Sequence, residues 1–497
     1  MSNSFTALDL IVLVGYLALT TFLGLYLGRG QKSERDYFVA NHTIPWWAVL
    51  FSIVATETSA LTVISIPGLA YIGDLGFLQI AAGYIVGRIV VAYTLLPRYY
   101  DGQLVTAYAL LERRFGVATR RFASVVFMFT RAFADSVRVF ATAIPVALIL
   151  GPVLPATVVM PTAILVLGAL TLFYTYNGGV RAVVWTDVIQ TVVYLIGAAA
   201  AVIIIGHHVN GGWGVIMHSA AAAGKTRAID LYTGLDRAQT IFAGLLGGAF
   251  LSMASHGADQ VIVQRLMTAS SLRDARRALI GSGIAVFIQF ALFLVIGIGL
   301  WAYFGARHFD SPDKIFPTFI VTAMPSGLMG LLVAAILAAT MSAHSGAINS
   351  LAAATVHDIY LPMTGHDPDT PRTLKVAKLA SLAWGVVLLV IALLYRQQGT
   401  PVVIVALSIA SFTYGALLGG FALGILWKRA RQRDAITGMA VGIAVMSVIV
   451  FAKQLSSFWP ALAPLGQIAW PWYVLIGTVV TVGVGITTSL FPNGSAK

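Results

Sequence analysis

The chain has no cysteine, so disulfide staples and thiol chemistry of any kind are excluded. Charge is scarce as well. Only 10% of the 497 residues are charged against 58% hydrophobic, and runs of close to twenty residues without a formal charge recur along the chain. That composition belongs to a polytopic membrane protein. Ten-residue alternating segments are missing, which excludes an outer-membrane barrel. Because the backbone in lipid must satisfy its own hydrogen bonds, the fold class is all-α. The opening MSNSFTALD carries no Lys or Arg and no small-residue cleavage site follows it, so the first apolar run is expected to be a retained helix. The longest polar segments, near 207–237 and 357–375, are loop-sized, and none resembles a linker. A single transmembrane domain over 1–497 is expected. His, Asp and Glu are too scattered to form an acid–base pair or a metal cluster, so neither an enzyme nor a cofactor is expected.

What is present is a series of apolar spans, at roughly 9–28, 45–68, 77–97, 122–150, 156–174, 183–206, 239–257, 279–303, 326–350, 376–395, 401–426, 435–452 and 471–491. The net charge of +12 tracks the topology of these spans rather than a nucleic-acid partner. With the N-terminus outside, the inner loops hold Arg29, Lys32, Arg35, Arg98, Arg113, Arg114, Arg120, Arg121, Arg181, Arg265, Arg273, Arg276, Arg277, Arg372, Lys375, Lys378 and the run WKRARQR at 427–433. The outer loops hold only Lys225, Arg227, Arg237, Arg307, Lys314, Arg396 and Lys453. Lys and Arg collect on the cytoplasmic side, so the N-terminus is expected outside and the C-terminus in the cytoplasm of an inner-membrane protein.

Two spans carry signs of a break. The second contains the polar cluster Thr56, Glu57, Thr58, Ser59 followed by Pro67 and Gly68, and the seventh, GLLGGAFLSMASHGADQ at 244–260, is rich in glycine and carries His256. They lie five spans apart. That is the register of a five-plus-five inverted repeat whose broken helices hold a substrate, with a core at roughly 45–206 and 239–426 and additional helices at 9–28, 435–452 and 471–491. The plain alternative is that the glycines only allow close helix packing.

Ionisable groups inside a bilayer cost at least ~2.5 to 3.5 kcal/mol each and so need a reason. In AATMSAHSGAINS, 338–350, Ser342 and Ser345 share a face with Ala339 one turn before. Carbonyls freed near Ala55 and Thr58 by a break could complete an oxygen cage for a monovalent ion against Ser342. Small-residue packing is the alternative. In the fourth span Arg131, Asp135 and Arg138 form one stripe with a cation in excess. Asp135 is expected to pair with either arginine, and Arg138 could offer its planar fork to a solute carboxylate. Arg88 is expected to snorkel or to cap its helix end. His344 either relays protons or is satisfied by a neighbouring helix.

The motifs RDYFVANHTIPWW (35–47), VWTDVIQ (184–190), DQVIVQR (259–265), AATMSAHSGAINS (338–350) and YGALLGGFALGILWKR (414–429), in this order and spacing, resemble the sodium/solute symporter family. The resemblance runs from the first span to about residue 430. It implies the leucine-transporter fold, with one helix before the ten-helix core and two after it. It also implies Na+-coupled uptake of a small polar organic solute (sugar, acidic sugar or carboxylate) by alternating access, with the bilayer, Na+ and the solute as partners. Proton coupling in the same fold and a transporter-derived sensor are the alternatives. Carried over, Na+ lies on carbonyls of Ala55, Thr58 and Ala339 and on the Ser342 hydroxyl. A second ion would use Asp187, Ser342 and Ser345. Ala343 and Gly346 stand where family members have further hydroxyls. Glu57 falls at the unwound centre, with Thr56, Ser59 and Thr62 along the solute cavity, and Arg138 resembles the arginine that grips a carboxylate in the sialic acid branch.

Overall fold

The computed structural model describes residues 5–27, 43–58, 60–102, 106–151, 153–175, 180–305, 307–367, 370–396 and 400–491. Ser59 lies outside them. The described chain is helical throughout. Its main elements are α1 (Ala7–Leu27), α2 (Trp46–Glu57), α3 (Ala60–Ile72), α4 (Phe77–Thr94), α5 (Val117–Leu150), α6 (Ala156–Thr175), α7 (Val180–His208) and α8 (Gly248–Gly257). After these come α9 (Gln260–Met267), α10 (Leu272–Phe304), α11 (Ile315–Ala323), α12 (Leu328–Ala353), α13 (Pro371–Leu394), α14 (Val402–Leu426), α15 (Gln432–Val450) and α16 (Trp472–Leu490).

Among the described residues nine helices are long and apolar enough to cross a membrane, or ten if the bent pair α2 and α3 is one span. The expected first and fifth spans coincide with the shorter apolar helices Ala7–Thr20 and Ala156–Ala169. The seventh is divided into a π-helical turn, Ala243–Gly247, and α8. Of the thirteen apolar runs, the second and seventh are thus broken or wound open, and the first and fifth are represented by these shorter helices. The span containing α12 lies at the centre, with 89% of its apolar window buried, against 17% for the span at Lys375–Leu394. Burial is what separates a helix that builds the site from one that faces lipid.

Both breaks have local causes. At the first, α2 and α3 meet at 60°. Thr58 leaves the helical region with φ −88° and ψ 57° while its N–H still reaches the Val54 carbonyl at 2.7 Å. Hydroxyls compete here for backbone groups: Thr56 Oγ1 donates to the Ser52 carbonyl at 2.7 Å, and Thr62 Oγ1 reaches across the break to the Glu57 carbonyl at 3.3 Å. At the second break Asp259 is extended and caps α9, its carboxylate accepting the Val261 N–H at 2.8 Å. The two broken segments also touch through backbone, the Ile44 N–H bonding to the Thr268 carbonyl at 3.2 Å.

Close backbone approach fixes the remaining geometry. A Cβ at Gly244 would stand 2.5 Å from the Gln79 carbonyl carbon and one at Gly248 2.6 Å from the Ile80 carbonyl oxygen, so these glycines of the seventh span do serve packing, against α4. Buried Asp9 of α1 caps α12, its Oδ1 accepting the N–H groups of Gly327 at 2.7 Å and Gly330 at 2.9 Å. A carboxylate at a helix N-terminus is favoured by both the open N–H groups and the helix dipole. The first helix, α1, is thereby bound to the central helix.

Candidate ion and solute site

Asp187 of α7 is the meeting point of the first group of site residues. Its buried carboxylate accepts Ser52 Oγ of α2 at 2.7 Å on Oδ2 and Ser342 Oγ of α12 at 2.9 Å on Oδ1. Arg265 of α9 places Nη2 3.6 Å from the same Oδ2 and donates through Nε to Ser52 Oγ at 3.1 Å. One carboxylate therefore joins the first half of one broken helix, the second half of the other, and the central helix. Because the Ser342 proton goes to Asp187, the hydroxyl lone pairs stay available to a cation. Ala55 of α2, Thr58 at its end, and Ala339 and Ser345 of α12 are buried, and the hydroxyls of Thr58 and Ser345 have no hydrogen-bond partner among the described residues. A Cβ at Gly346 would stand 3.6 Å from Arg265 Nη2, so the missing hydroxyl there faces the guanidinium.

Glu57 belongs to a different group. Its carboxylate forms an ion pair with Arg88 of α4, and His256 of α8 stands 3.6 Å away through Nε2. Arg88 is wholly buried and gives Nη1 to Ser282 Oγ of α10 at 2.6 Å. The expectation that Arg88 snorkels or caps its helix end is therefore corrected: α4 is covered at this level by α8 and α10, and the guanidinium finds its partner inward at the break. Thr56 and Thr62 are buried, with their protons given to backbone carbonyls, so they present lone pairs rather than donors.

The arginine stripe of α5 forms a third group. Arg131 Nε lies 2.5 Å from Asp135 Oδ2 and its Nη1 lies 3.4 Å from Asp259 Oδ2, which also accepts Tyr414 Oη at 2.5 Å. Arg138 Nη1 is 3.4 Å from Asp135 Oδ1. Asp135 thus takes both arginines, and Asp259 from the second break offsets the cation that the stripe alone leaves in excess. Among the described residues Arg138 Nε has no hydrogen-bond partner, and Nη1 has only the ion pair with Asp135. It lines a cavity of about 10 Å³ with Asp135, Val139, Thr142, Thr340, Ala343 and His344. Ala343 thus contributes to the wall of this cavity.

Sequence reasoning missed Ser52, Arg265, Asp259 and Tyr414 as members of these networks. The last three stand in the quoted motifs DQVIVQR and YGALLGGFALGILWKR, which signalled that these segments matter without saying what they touch.

An all-helical membrane bundle with two interrupted helices, and buried charge gathered at the interruptions, is the architecture of a secondary transporter. The comparisons agree. The chain matches the sodium:solute symporter family over residues 37–442 and belongs to that family. It is 30% identical to a sodium/sialic acid symporter, NanT, of Aliivibrio fischeri over 99% of this chain and 95% of that one. It is 31% identical to another, SiaT, of Proteus mirabilis over 98% and 96%. A solved structure of a Na+-coupled sialic acid symporter, substrate-bound and outward-open, aligns with a TM-score of 0.83 at 30% identity, covering 98% of this chain and 99% of that one. This chain is a Na+-coupled solute symporter of the membrane, a transporter and not an enzyme.

Proposed function

We propose that this protein imports an acidic sugar of the sialic acid type together with Na+ across the inner membrane. The observation that carries the solute class is Arg138, a cation of α5 that lines the cavity against α12 and whose Nε has no hydrogen-bond partner among the described residues. A planar guanidinium with an unmet donor matches a carboxylate in shape and charge. Support comes also from the two relatives, each named a sodium/sialic acid symporter. Thr56, Glu57, Ser59 and Thr62 complete the proposed solute wall, Glu57 through its Arg88 pair.

For the ion, the proposed ligands are the carbonyls of Ala55, Thr58 and Ala339 and the Ser342 hydroxyl, with Asp187 and Ser345 behind it. The supporting contact is the Ser342–Asp187 bond, which fixes the hydroxyl with its lone pairs free. Na+ there would fix α2 against α12 in the outward-facing state and raise solute affinity by linkage, and its release inside would let the bundle relax. One ion suffices: roughly 2.3 kcal/mol from a ~100 mV potential plus about 1.4 from a tenfold gradient sustains accumulation of several hundredfold. The core is proposed at 45–206 and 239–426, N-terminus outside and C-terminus inside, as the Lys and Arg bias directs.

The test is uptake of N-acetylneuraminate by proteoliposomes under an inward Na+ gradient. Concentrative uptake that collapses when choline replaces Na+ is expected. Wild-type vesicles that accumulate no acidic sugar under the gradient would remove the solute assignment.

A further inference from the structure

We infer that His344 is a solute-contacting residue that completes, with Arg138, a two-point site for the carboxylate end of an acidic solute. The inference rests on the reading of the protein as a symporter of acidic solutes, and it deepens that reading by naming a specificity determinant on the central helix.

The position of His344 follows from helix geometry. Two residues along a helix turn the side chain by roughly 200°, so Ser342 and His344 must look to opposite sides of α12. Ser342 turns to Asp187, and His344 lines the cavity with Asp135 and Arg138 of α5. One helical turn thus presents the proposed ion ligand on one face and an imidazole on the other. Thr340, one turn before His344, lines the same cavity and is bonded to Thr142 at 2.6 Å.

Polar accounting gives His344 its function. The residue is 4% exposed, and neither ring nitrogen has a hydrogen-bond partner among the described residues. A neutral imidazole carries one donor and one acceptor, and leaving both unmade in an interior is costly. A histidine kept for packing alone would be better replaced by an apolar side chain of its size. Arg138 across the cavity has Nε without a hydrogen-bond partner among the described residues, while its Nη1 stands 3.4 Å from Asp135 Oδ1. With Nη1 and both Asp135 oxygens held in ion pairs, the unmet groups are the Arg138 Nε–H, one imidazole donor and one imidazole acceptor. A carboxylate oxygen that reaches the cavity accepts from Arg138 Nε–H and from the imidazole N–H. The volume of about 10 Å³ admits a group the size of a water, so the end of a solute fits here and not its body.

Charge ties this site to the ion. Arg131 and Arg138 are offset by Asp135 and Asp259, so an incoming carboxylate adds a negative charge to a balanced cluster. A Na+ on the Ser342 face of the same turn supplies the compensating positive charge, and the coupling of solute to ion then follows from electrostatics across one helix.

The test compares N-acetylneuraminate with its methyl ester in Na+-driven uptake and in thermal shift of the purified full-length protein. His344→Leu is expected to raise the half-saturating concentration of the acid about tenfold, the worth of one buried hydrogen bond to a charged group. The ester should change by less than about twofold, so the preference for the acid narrows. His344→Gln, which keeps a donor and an acceptor, is expected to recover most of the acid affinity. If His344→Leu does not fold, His344→Met carries the same comparison. Acid and ester weakened by the same factor, or acid affinity unchanged in both His344→Leu and His344→Gln, overturns the inference alone. Absence of Na+-dependent binding of the acid by wild-type protein overturns the functional reading instead.

Discussion

The Ser342 hydroxyl donates to Asp187 Oδ1 at 2.9 Å, and the other oxygen of that carboxylate takes Ser52 at 2.7 Å. A side chain of α7 thereby spans the gap between the first half of a broken helix and the central helix. Any cation held by carbonyls across that gap is held by a frame whose width Asp187 sets.

Ser342→Ala removes the proposed oxygen ligand and also frees Asp187 Oδ1. Losing one charge-assisted contact of about 1.5 kcal/mol raises the Na+ concentration for half-maximal uptake by roughly tenfold. Maximal uptake at saturating Na+ should be nearly kept. A Na+ titration of uptake measures this, and an unshifted midpoint would move Ser342 out of the ion site.

Asp187→Asn addresses the frame rather than the ligand. Arg265 is buried, and its carboxylate partner stands 3.6 Å away. Removing one member of a buried pair typically costs about 3–5 kcal/mol because the other charge is stranded, whereas removing both together costs far less. The single variants Asp187→Asn and Arg265→Met should therefore each lower the melting temperature strongly, and the double variant less than their sum. Additive losses would show that the two side chains do not share a pair.

These networks mark the limit of what the sequence discloses. The breaks were legible because their causes are local. Four consecutive polar residues at 56–59 ahead of Pro67 and Gly68, and the glycines of 244–260, disturb a helix whatever surrounds it. That Ser342 and Ser345 lie one turn apart on a buried helix was legible for the same reason, since it needs only helix geometry. Partners were not legible. Glu57 meets Arg88, Arg131 meets Asp259 and Asp187 meets Arg265 through pairings of distinct helices that no periodicity encodes. Arg88 was misplaced because snorkelling presumes a helix with lipid within reach, and α4 has helices over it instead. The surplus cation of the α5 stripe vanished on the same account, since its counter-charge comes from the break in another span.

Glu57→Gln separates three roles for the carboxylate at the first break. The ion pair with Arg88 makes charge compensation the leading one, so the variant should lose about 3–5 kcal/mol of stability through a stranded guanidinium. The double variant Glu57→Gln with Arg88→Met should regain much of the loss in a thermal melt. Uptake by whatever folded protein remains is expected to stay Na+-driven, with the same dependence on external pH as wild type. A pH dependence present in wild type and abolished in Glu57→Gln would instead assign the carboxylate a proton.

Gly68→Ala tests α3, the second half of the broken helix, where Pro67 and Gly68 follow the polar run. A Cβ at position 68 would stand 2.4 Å from the carbonyl oxygen of Pro312, on the segment leading into α11. Backbone cannot yield as the end of a side chain can. The neighbouring contacts hold it in place: Ser65 Oγ bonds to Asp313, whose Oδ2 also accepts the Val402 N–H at 3.0 Å at the start of α14. Tyr71 Oη donates to the Arg307 carbonyl at 2.9 Å. An added methyl must therefore push α3 away from the 307–313 segment, at an overpacking cost of about 1–3 kcal/mol. If transport requires these elements to close on one another, Gly68→Ala lowers maximal uptake more than it weakens Na+ or solute binding measured by thermal shift. Equal losses in binding and in rate would show that the contact only supports the resting fold.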